Sequence, residues 1–347
     1  MKILVNTPHL YLTGGVSNHY KGLKPYWNEK VYYNQIGRHS EKAGRGIYWL
    51  PFDVIKFIIK IILLRPDIVL LNPSLGKNAI ERDFLFLKIA KFLGKKVVVF
   101  FHGFNTEFIK KTNIERFKYN LNKCECIFVL ANEFANILKG LGINVPIHLT
   151  STKVDDRLVD NFEINIKRNN INNVLFLARI EKEKGIYIAL DTVKVLQNKG
   201  FNIIFRIAGI GGEFEKAKQY AIDNTIKAEF LGNVSGASLI NEYKKAGLYI
   251  LPTYHEGMPT SVLEAMAFGL PVITRPVGGL CDFFIDGKMG RLIDSFEPQD
   301  YADAIASYIS NPTQWKETSV YNHEYAMKHF LASSVAKNVE KILKGYL

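Results

Sequence analysis

Short apolar runs alternate with helix-length amphipathic segments from one end of the chain to the other. Runs of this kind, rich in branched and aromatic residues and separated by helices, are typical of parallel strands that are buried on both faces. The pattern predicts strands at residues 3–6, 67–72, 96–103, 126–131, 145–150, 173–178, 202–209, 228–232, 248–252, 271–275 and 290–294. We therefore predict an α/β protein with two doubly wound parallel sheets, which bind ligands at the carboxyl ends of their strands.

One segment interrupts this alternation and marks a domain boundary. Residues 161–173 contain many asparagines and have little helical or strand pattern, so we place a hinge there. The predicted domains are residues 1–165 and 166–325, with their strand ends facing a common cleft. Residues 326–347 form a predicted terminal helix that could pack back on the N-terminal domain.

The most apolar segment covers residues 52–74 and combines a helix with the strand that follows it. Lys56 and Lys60 lie one helical turn apart, and Arg65-Pro66 ends the helix. No apolar stretch reaches the roughly 18 to 20 residues that a membrane span needs. A crossover helix packed on a sheet is the favoured interpretation, because a helix that is apolar nearly all round is usually buried. A helix lying in a membrane interface is the alternative.

Composition is typical of a globular protein of the cytoplasm. The chain has 347 residues, of which 48% are hydrophobic, enough for two domains with substantial cores. Cys124, Cys126 and Cys281 are too few for a disulfide framework, and a single C-E-C lacks the spacing of a zinc site. We expect these thiols to be reduced. The N-terminal apolar run is too short for the apolar region of a signal peptide, which also favours a cytoplasmic location.

The net charge of +12 is confined to the first part of the chain. Residues 1–150 contain 22 lysines and arginines against 10 aspartates and glutamates, whereas residues 151–347 contain 23 of each kind. This asymmetry predicts an anionic partner, which could be a membrane surface, a nucleic acid or an acidic substrate. Lysines that only solvate helix faces are the alternative. No nucleic-acid-binding motif accompanies the charge, so a nucleic-acid partner is not predicted.

The stretch HEGMPTSVLEAMAFG, at residues 255–269, holds two glutamates eight positions apart, Glu256 and Glu264. A strand precedes it and a helical period follows Pro259, which together predict a strand, a loop and a helix. The start of a helix carries free N–H groups and a partial positive charge, so this loop is a natural anion site. The alternative is that Glu264 complements the helix dipole while Glu256 is a solvated loop acid.

Cations at another strand end suit the same chemistry. In LFLARIEKEKG, residues 175–185, Arg179 closes the strand, and Lys182 and Lys184 precede Gly185, which opens a helix. The planar fork of an arginine and the mobile ammonium group of a lysine both suit a pyrophosphate. Surface lysines balanced by neighbouring glutamates are the alternative, and Lys182 is assigned to that class.

The N-terminal domain offers weaker signals. Gly14-Gly15 follows the first strand, where glycine lets the backbone approach a phosphate, although a plain tight turn has the same pattern. His102 ends the strand FFHG and suits a polar contact to substrate, although a lone histidine is more often structural. The sequence indicates neither a metal-ligand set nor a covalent nucleophile.

Together the motifs resemble the family 4 retaining glycosyltransferases, which have the GT-B fold of two facing Rossmann-like domains. The matching segments are GGVSNHY, HG at 102–103, ARIEKEKG, FRIAGIGGEFE, FLGNV, HEGMPTSVLEAMAFGLPVITRPVGG and DGKMGRLI. The resemblance spans nearly the whole chain and is densest between residues 174 and 294. Three departures are that Ala178 replaces a frequent glycine, TSTKVDD at 150–156 lacks the usual Asn-Gly, and Asp282 replaces a common glutamate.

The resemblance implies a role for each matching residue. Arg179 and Lys184 would hold the donor diphosphate and stabilise the leaving group, and Glu256 would bind hydroxyls of the donor sugar. The other expected contacts are the backbone of Gly257, Met258 and Pro259 near the sugar, Thr260 and Ser261 on the phosphates, Glu264 on the ribose, Val234 near the base, Gly14 and Gly15 over the diphosphate, and His102 facing the transferred sugar.

The resulting prediction is a retaining, metal-independent glycosyltransferase that needs no cofactor. It would move a sugar from a nucleotide diphosphate sugar to an acceptor hydroxyl, and we expect the acceptor to be a lipid-linked glycan intermediate of bacterial cell-surface polysaccharide. The basic N-terminal half would dock the enzyme peripherally on anionic membrane. The alternatives are a sugar-nucleotide epimerase on a similar fold and a non-catalytic protein that binds anionic ligands.

Overall fold

The structure of the protein is a computed structural model that describes residues 1–12, 14–37, 49–164 and 170–347. The chain forms two compact units, a first unit of Met1–Lys153 with Ala332–Leu347 and a second unit of Val154–Leu331. The predicted domain boundary at residue 165 lies outside the described residues, as does part of the predicted hinge. The predicted boundary at residue 325 lies inside a helix of the second unit.

The first unit contains one sheet of six parallel strands. Its strands are β1 Lys2–Pro8, β2 Lys30–Ile36, β3 Ile68–Leu71, β4 Lys96–Phe101, β5 Cys126–Val129 and β6 Ile147–Leu149. Its helices are α1 Gly15–Leu23, α2 Leu50–Leu64, α3 Lys77–Phe92, α4 Thr106–Lys111, α5 Ile114–Leu121, α6 Asn132–Gly140 and, from the end of the chain, α14 Ala332–Lys344. The strand order is β2-β1-β3-β4-β5-β6, and β3 and β5 are buried at every residue.

The second unit repeats this architecture with a second sheet of six parallel strands. Its strands are β7 Asn173–Leu177, β8 Ile204–Ala208, β9 Ala228–Gly232, β10 Leu248–Leu251, β11 Val272–Thr274 and β12 Gly290–Leu292. Its helices are α7 Ile186–Asn198, α8 Phe214–Asp223, α9 Gly236–Lys245, α10 Thr260–Ala267, α11 Leu280–Phe283, α12 Pro298–Ser310 and α13 Pro312–His329. The strand order is β12-β11-β10-β7-β8-β9.

The helix α14 belongs to the first unit although the second unit precedes it in sequence. Its residues Val335 and Ala336 pack with Leu23 of α1 in one apolar cluster. The buried carboxylate of Glu340 accepts hydrogen bonds from the backbone N–H groups of Asn28 and Glu29, both at 2.8 Å. Apolar packing and satisfied polar groups therefore hold the terminal helix in place together.

The sequence pattern does not predict β2, which lies at the edge of the first sheet. Only two of its seven residues are buried, so it lacks the continuous apolar run of the central strands. Lys60 of α2 donates to the carbonyl oxygen of Tyr33 at 2.6 Å, and Lys56 donates to that of Gln35. These two lysines therefore satisfy carbonyl groups of the edge strand.

The helix α2 lies between β2 and β3 in the chain and packs on the sheet, which confirms the favoured prediction of a crossover helix, but it is not buried nearly all round. Phe57 and Ile61 are buried, and Phe57 packs edge-on against Phe86 of α3. The opposite face carries an exposed apolar stripe, hereafter the α2 stripe, of Phe52, Ile55, Ile59 and Ile62, which are 49% to 67% exposed. Their spacing of three and four residues places them on one side of the helix. None of the helices in the described ranges is long and apolar enough to cross a membrane.

Candidate functional site

In the second unit, the direction of strand addition reverses between β7 and β10. The chain adds β8 and β9 on one side of β7 and then places β10 on the other side. Leu248 of β10 pairs in parallel with Val174 of β7, so the loops that follow the two strands leave the same edge of the sheet side by side. Ligands of doubly wound sheets bind at such a switch point. The two loops, residues 178–185 and 252–259, contain six of the thirteen predicted site residues, and α10 contains three more.

The loop after β7 holds both predicted cations. Arg179 is exposed, and its side chain has no hydrogen bond or ion pair with the residues that the structure describes. Lys184 ends a 3-10 turn, and Gly185 then adopts φ +75°, a conformation that suits glycine. A β-carbon at Gly185 would lie 2.1 Å from the carbonyl oxygen of Pro252. This glycine therefore allows the two loops to touch.

Lys184 and Glu256 form an ion pair across the two loops, with 2.6 Å between Nζ and Oε1. Their side chains are 18% and 12% exposed, so solvent and salt screen this pair less than an exposed one. The sequence predicts Lys184 on a diphosphate and Glu256 on a sugar. The structure places the two groups in contact, and their separate roles remain predictions.

Backbone contacts fix the loop that carries Glu256. Its Thr253 hydroxyl donates to the carbonyl oxygen of Glu183 at 3.1 Å, which ties the loop to the turn that bears Lys184. The N–H of Gly279 donates to the carbonyl oxygen of Gly257 at 2.7 Å. Neighbouring Gly278 adopts φ +53°, and a β-carbon there would lie 2.2 Å from the Glu256 carbonyl oxygen. Because hydrogen bonds hold the backbone on both sides of Glu256, the point from which its side chain extends is fixed.

The helix α10 begins directly after this loop, with Pro259 as its N-cap residue. Met258 is nearly buried, and Thr260 and Ser261 form the first turn. Among the described residues, no side-chain hydrogen bond caps the helix start. The first N–H groups of a helix and its dipole favour an anion, and a phosphate at Thr260 and Ser261 remains a prediction.

Two buried tyrosines that the sequence analysis missed hold the polar side chains of α10. The hydroxyl of Tyr243 donates to Oε2 of Glu264 at 2.9 Å, and that of Tyr249 donates to Oγ of Ser261 at 2.7 Å. Tyr243 and Tyr249 are both fully buried. The available signal was the position of Tyr249 inside the apolar run LYILP, because a buried tyrosine hydroxyl requires a hydrogen-bond partner.

In the first unit, His102 belongs to a polar network at the end of β4. Its Nε2 lies 2.9 Å from Oδ1 of Asn72, which also accepts from the hydroxyl of Tyr20 at 2.7 Å. Because Oδ1 only accepts, the hydrogen is on Nε2 of His102. Burial lowers the pKa of His102 to about 3, so the imidazole is neutral at physiological pH. A neutral histidine can make polar contacts but supplies no charge, and its contact with a sugar remains a prediction.

The other predicted residues occupy less defined surroundings. Gly14 and Gly15 are exposed at the start of α1, and a β-carbon at either would meet no described atom within 4 Å. Packing against the described residues therefore does not require glycine there. Val234 is partly buried between β9 and α9. Over the ranges that the structure describes, no three histidine, cysteine, aspartate or glutamate side chains cluster as a metal site would require.

Comparison with known proteins identifies a family match within the second unit and relatives of part of the chain. Residues 160–329 match the family described as Glycosyl transferases group 1. The chain is 29% identical over 169 residues to an uncharacterized glycosyltransferase of Methanocaldococcus jannaschii, covering 48% of this chain and 47% of that protein. It is 24% identical over 210 residues to the capsular polysaccharide biosynthesis glycosyltransferase CapM of Staphylococcus aureus, covering 59% of this chain and 54% of CapM. The chain thus spans about half the length of these curated relatives.

The fold is also found among solved structures. The chain is similar to Anabaena Alr3699/HepE in complex with UDP and glucose, with a TM-score of 0.77 at 15% identity, covering 99% of this chain and 100% of that chain. The likeness confirms the predicted fold class, which is the GT-B fold with two doubly wound parallel sheets.

Proposed function

We propose, on the premise that residues 160–329 belong to the glycosyl transferases group 1 family, that the protein is a glycosyltransferase with a nucleotide diphosphate sugar as donor. The observation that carries the proposal is the ion pair of Lys184 with Glu256 beside the N-terminus of α10. It brings a mobile cation, an acid suited to sugar hydroxyls and free N–H groups of a helix to one switch point.

The cations would act on the charge that leaves with the nucleotide. Arg179 is exposed at the loop, and Lys184 can exchange its bond to Glu256 for a bond to a phosphate oxygen. Groups that are held in place before the reaction stabilise developing charge by several kcal/mol. The helix start at Thr260 and Ser261 would bind the same phosphates, and Glu264 would bind the ribose.

Glu256 would bind the donor sugar once Lys184 has exchanged its bond to Glu256 for a bond to the phosphates. Its carboxylate then accepts hydrogen bonds from sugar hydroxyls and orients the anomeric carbon. We propose a retaining reaction in which the acceptor hydroxyl attacks from the face that the diphosphate leaves. The bond from the anomeric carbon to the diphosphate breaks, the bond to the acceptor oxygen forms, and the departing phosphate oxygen takes the hydroxyl proton. This scheme needs neither a protein nucleophile nor a metal ion or cofactor.

Release of nucleoside diphosphate, measured with and without candidate glycan acceptors, tests the proposal. UDP-, GDP- and ADP-sugars should be compared, and one of them should release its nucleotide when an acceptor is present. An epimerase would convert the donor sugar without acceptor, and a binding protein would leave the donor intact. The anomeric configuration of the product, read by NMR, tests retention, and an unchanged rate in excess EDTA tests metal independence.

The acceptor that we propose is a lipid-linked glycan intermediate of bacterial cell-surface polysaccharide. Similarity to the capsular polysaccharide glycosyltransferase CapM supports a role of this kind. The exposed α2 stripe and the excess of basic residues in the first part of the chain offer further support, because a lipid-linked acceptor is bound at a membrane surface. Reaction with a lipid-linked oligosaccharide, but not with the corresponding free sugar, is the expected result.

We further propose that the first unit docks on anionic membrane from the cytoplasmic side. The α2 stripe exposes four large apolar side chains, and residues 1–150 carry 22 basic against 10 acidic residues. An exposed apolar helix face on a unit with excess positive charge suits a helix that lies in the membrane interface. Lys56 and Lys60 donate to carbonyl groups of β2, so their proposed part is to support that edge rather than to contact lipid.

A further inference from the structure

Glu264 is a nearly buried acid whose carboxylate is held by a side chain from another helix. It is 7% exposed on α10, and Tyr243 of α9 donates to its Oε2 at 2.9 Å. A carboxylate that leaves water without hydrogen bonds is strongly destabilised, so such a donor is needed at this depth. A carboxylate has about four acceptor positions, and the Tyr243 bond is one of the contacts that occupy them.

Tyr243 is itself held rigidly. Its ring is fully buried and stacks on Phe268, with 5.0 Å between ring centroids and an interplanar angle of 8°. The preceding residue, Glu242, accepts from Nε and Nη2 of Arg206 on β8 at 2.5 and 3.1 Å. The helix α9 is thus tied to the sheet by a two-pronged ion pair, and the Tyr243 hydroxyl has a fixed position relative to α10.

The Tyr243 hydroxyl remains a donor at every physiological pH. Burial, followed by the nearby charge of Glu264, raises the pKa of Tyr243 well above its usual value. The bond between the two side chains therefore does not switch with pH. The bond holds Oε2 of Glu264 in place, and this also restricts the position of Oε1.

We propose that Tyr243 is a positioning residue that sets the Glu264 carboxylate for the ribose hydroxyls of a nucleoside diphosphate. The inference rests on the proposed donor-binding function of the second unit. A glutamate side chain loses rotamer freedom when it binds a ligand, and a pre-formed bond imposes that loss at folding instead. Removal of the Tyr243 hydroxyl should therefore lower the affinity only for those ligands that carry the ribose hydroxyl bound by Glu264.

The test compares binding of ribonucleotides and deoxyribonucleotides by calorimetry. The probe is whichever of UDP, GDP and ADP binds the wild-type protein most tightly, together with its 2′-deoxy and 3′-deoxy counterparts. We expect wild type to prefer the ribonucleotide over one deoxy counterpart at least tenfold and Glu264→Gln to lose most of this preference. Tyr243→Phe should lower the preference about fivefold and change deoxynucleotide affinity less than twofold. Tyr308→Phe removes another fully buried hydroxyl, 3.4 Å from Thr318 Oγ1, and should change neither value.

A double-mutant cycle separates positioning from a general structural effect. In the Glu264→Gln background, Tyr243→Phe should have almost no further effect, because the two residues act as one unit. Equal loss of affinity for ribo- and deoxynucleotides in Tyr243→Phe, or no loss at all, overturns the inference. If Glu264→Gln retains the full ribose preference, the ribose assignment within the proposed function fails and the inference fails with it. Loss in Glu264→Gln without loss in Tyr243→Phe leaves the proposed function intact and rejects only the role of Tyr243.

Discussion

Lys184 donates from Nζ to Oε1 of Glu256 at 2.6 Å, although 72 residues separate the two in the chain. The contact exists because β7 and β10 are neighbours in the sheet and their following loops leave the same edge. Each charge compensates the other at a depth where an unpaired charge would be costly. A donor diphosphate would compete with Glu256 for the Lys184 ammonium group, so donor binding would break this ion pair.

We expect Arg179→Ala and Lys184→Ala each to lower turnover at least about a hundredfold, or about 2.7 kcal/mol of barrier. Each change removes a positive charge that would stabilise the leaving diphosphate. Lys182→Ala is the matched control, because Lys182 is an exposed lysine on the same loop. Steady-state rates with saturating donor check the prediction, and circular dichroism confirms that the variants are folded. Near wild-type rates for both folded variants would contradict the diphosphate assignment.

The contact between the two site loops predicts different outcomes for two glycines with positive φ. Gly185 and Gly200 have φ +75° and +85°, but only at Gly185 would a β-carbon meet a neighbour, the Pro252 carbonyl oxygen. Gly200→Ala should cost about 1 kcal/mol of unfolding free energy for the backbone conformation alone. Gly185→Ala should cost about 3 kcal/mol and also weaken donor binding, because the loops must separate. Urea unfolding and nucleotide titration measure the two effects, and equal losses in both variants would argue against the loop contact.

The protonation of His102 predicts that stability falls in mild acid. Burial lowers its pKa in the folded state to about 3 from a usual value near 6.5, so between these values the unfolded chain binds the extra proton. The free energy of unfolding therefore decreases as pH falls below about 6.5, by up to about 1.4 kcal/mol per pH unit for this one group. His102→Gln should flatten the decrease between pH 6 and pH 5 by about 1 kcal/mol.

His255→Gln is the control for this pH experiment, because the His255 side chain is exposed. Urea unfolding at pH 7, pH 6 and pH 5 gives the comparison. His19 adds to the wild-type decrease, since burial and the neighbouring His102 lower its pKa as well. If wild type and His102→Gln have parallel pH profiles, the network around Asn72 does not hold a neutral histidine.

The α2 stripe predicts salt-dependent binding to anionic vesicles. Wild-type protein should float with liposomes that contain anionic lipid at low ionic strength and dissociate as the salt concentration rises. Salt screens the attraction between the basic residues and the anionic lipid. The double variant Phe52→Ser with Ile59→Ser should bind at least about tenfold less, since each lost apolar contact is worth about 1 kcal/mol. Ile222→Ser in the second unit, where Ile222 is 63% exposed, is the matched control. Equal binding to neutral vesicles, or no effect of the double variant, would leave the charge as a solubility feature.

The sequence by itself determined the class of fold and the residue types of the site. Strands buried on both faces must be continuous apolar runs, so the predicted runs at 173–178 and 248–252 correspond to β7 and β10. The edge strand β2 lacks that run because water and the lysines of α2 meet one side of it. The local pattern likewise identified α2 as an apolar helix. It did not show which face of α2 meets the sheet, because apolar residues occur on both the packed and the exposed face.

Only the tertiary structure decided which of the site residues touch. Arg179, Lys184, Glu256 and Glu264 are recognisable from strand ends and a helix start, which are local features. The bonds of Lys184 to Glu256 and of Tyr243 to Glu264 join elements that are distant in sequence. They depend on the placement of β10 beside β7 and of α9 beside α10, and that placement is set by long-range strand pairing and packing rather than by periodicity along the chain.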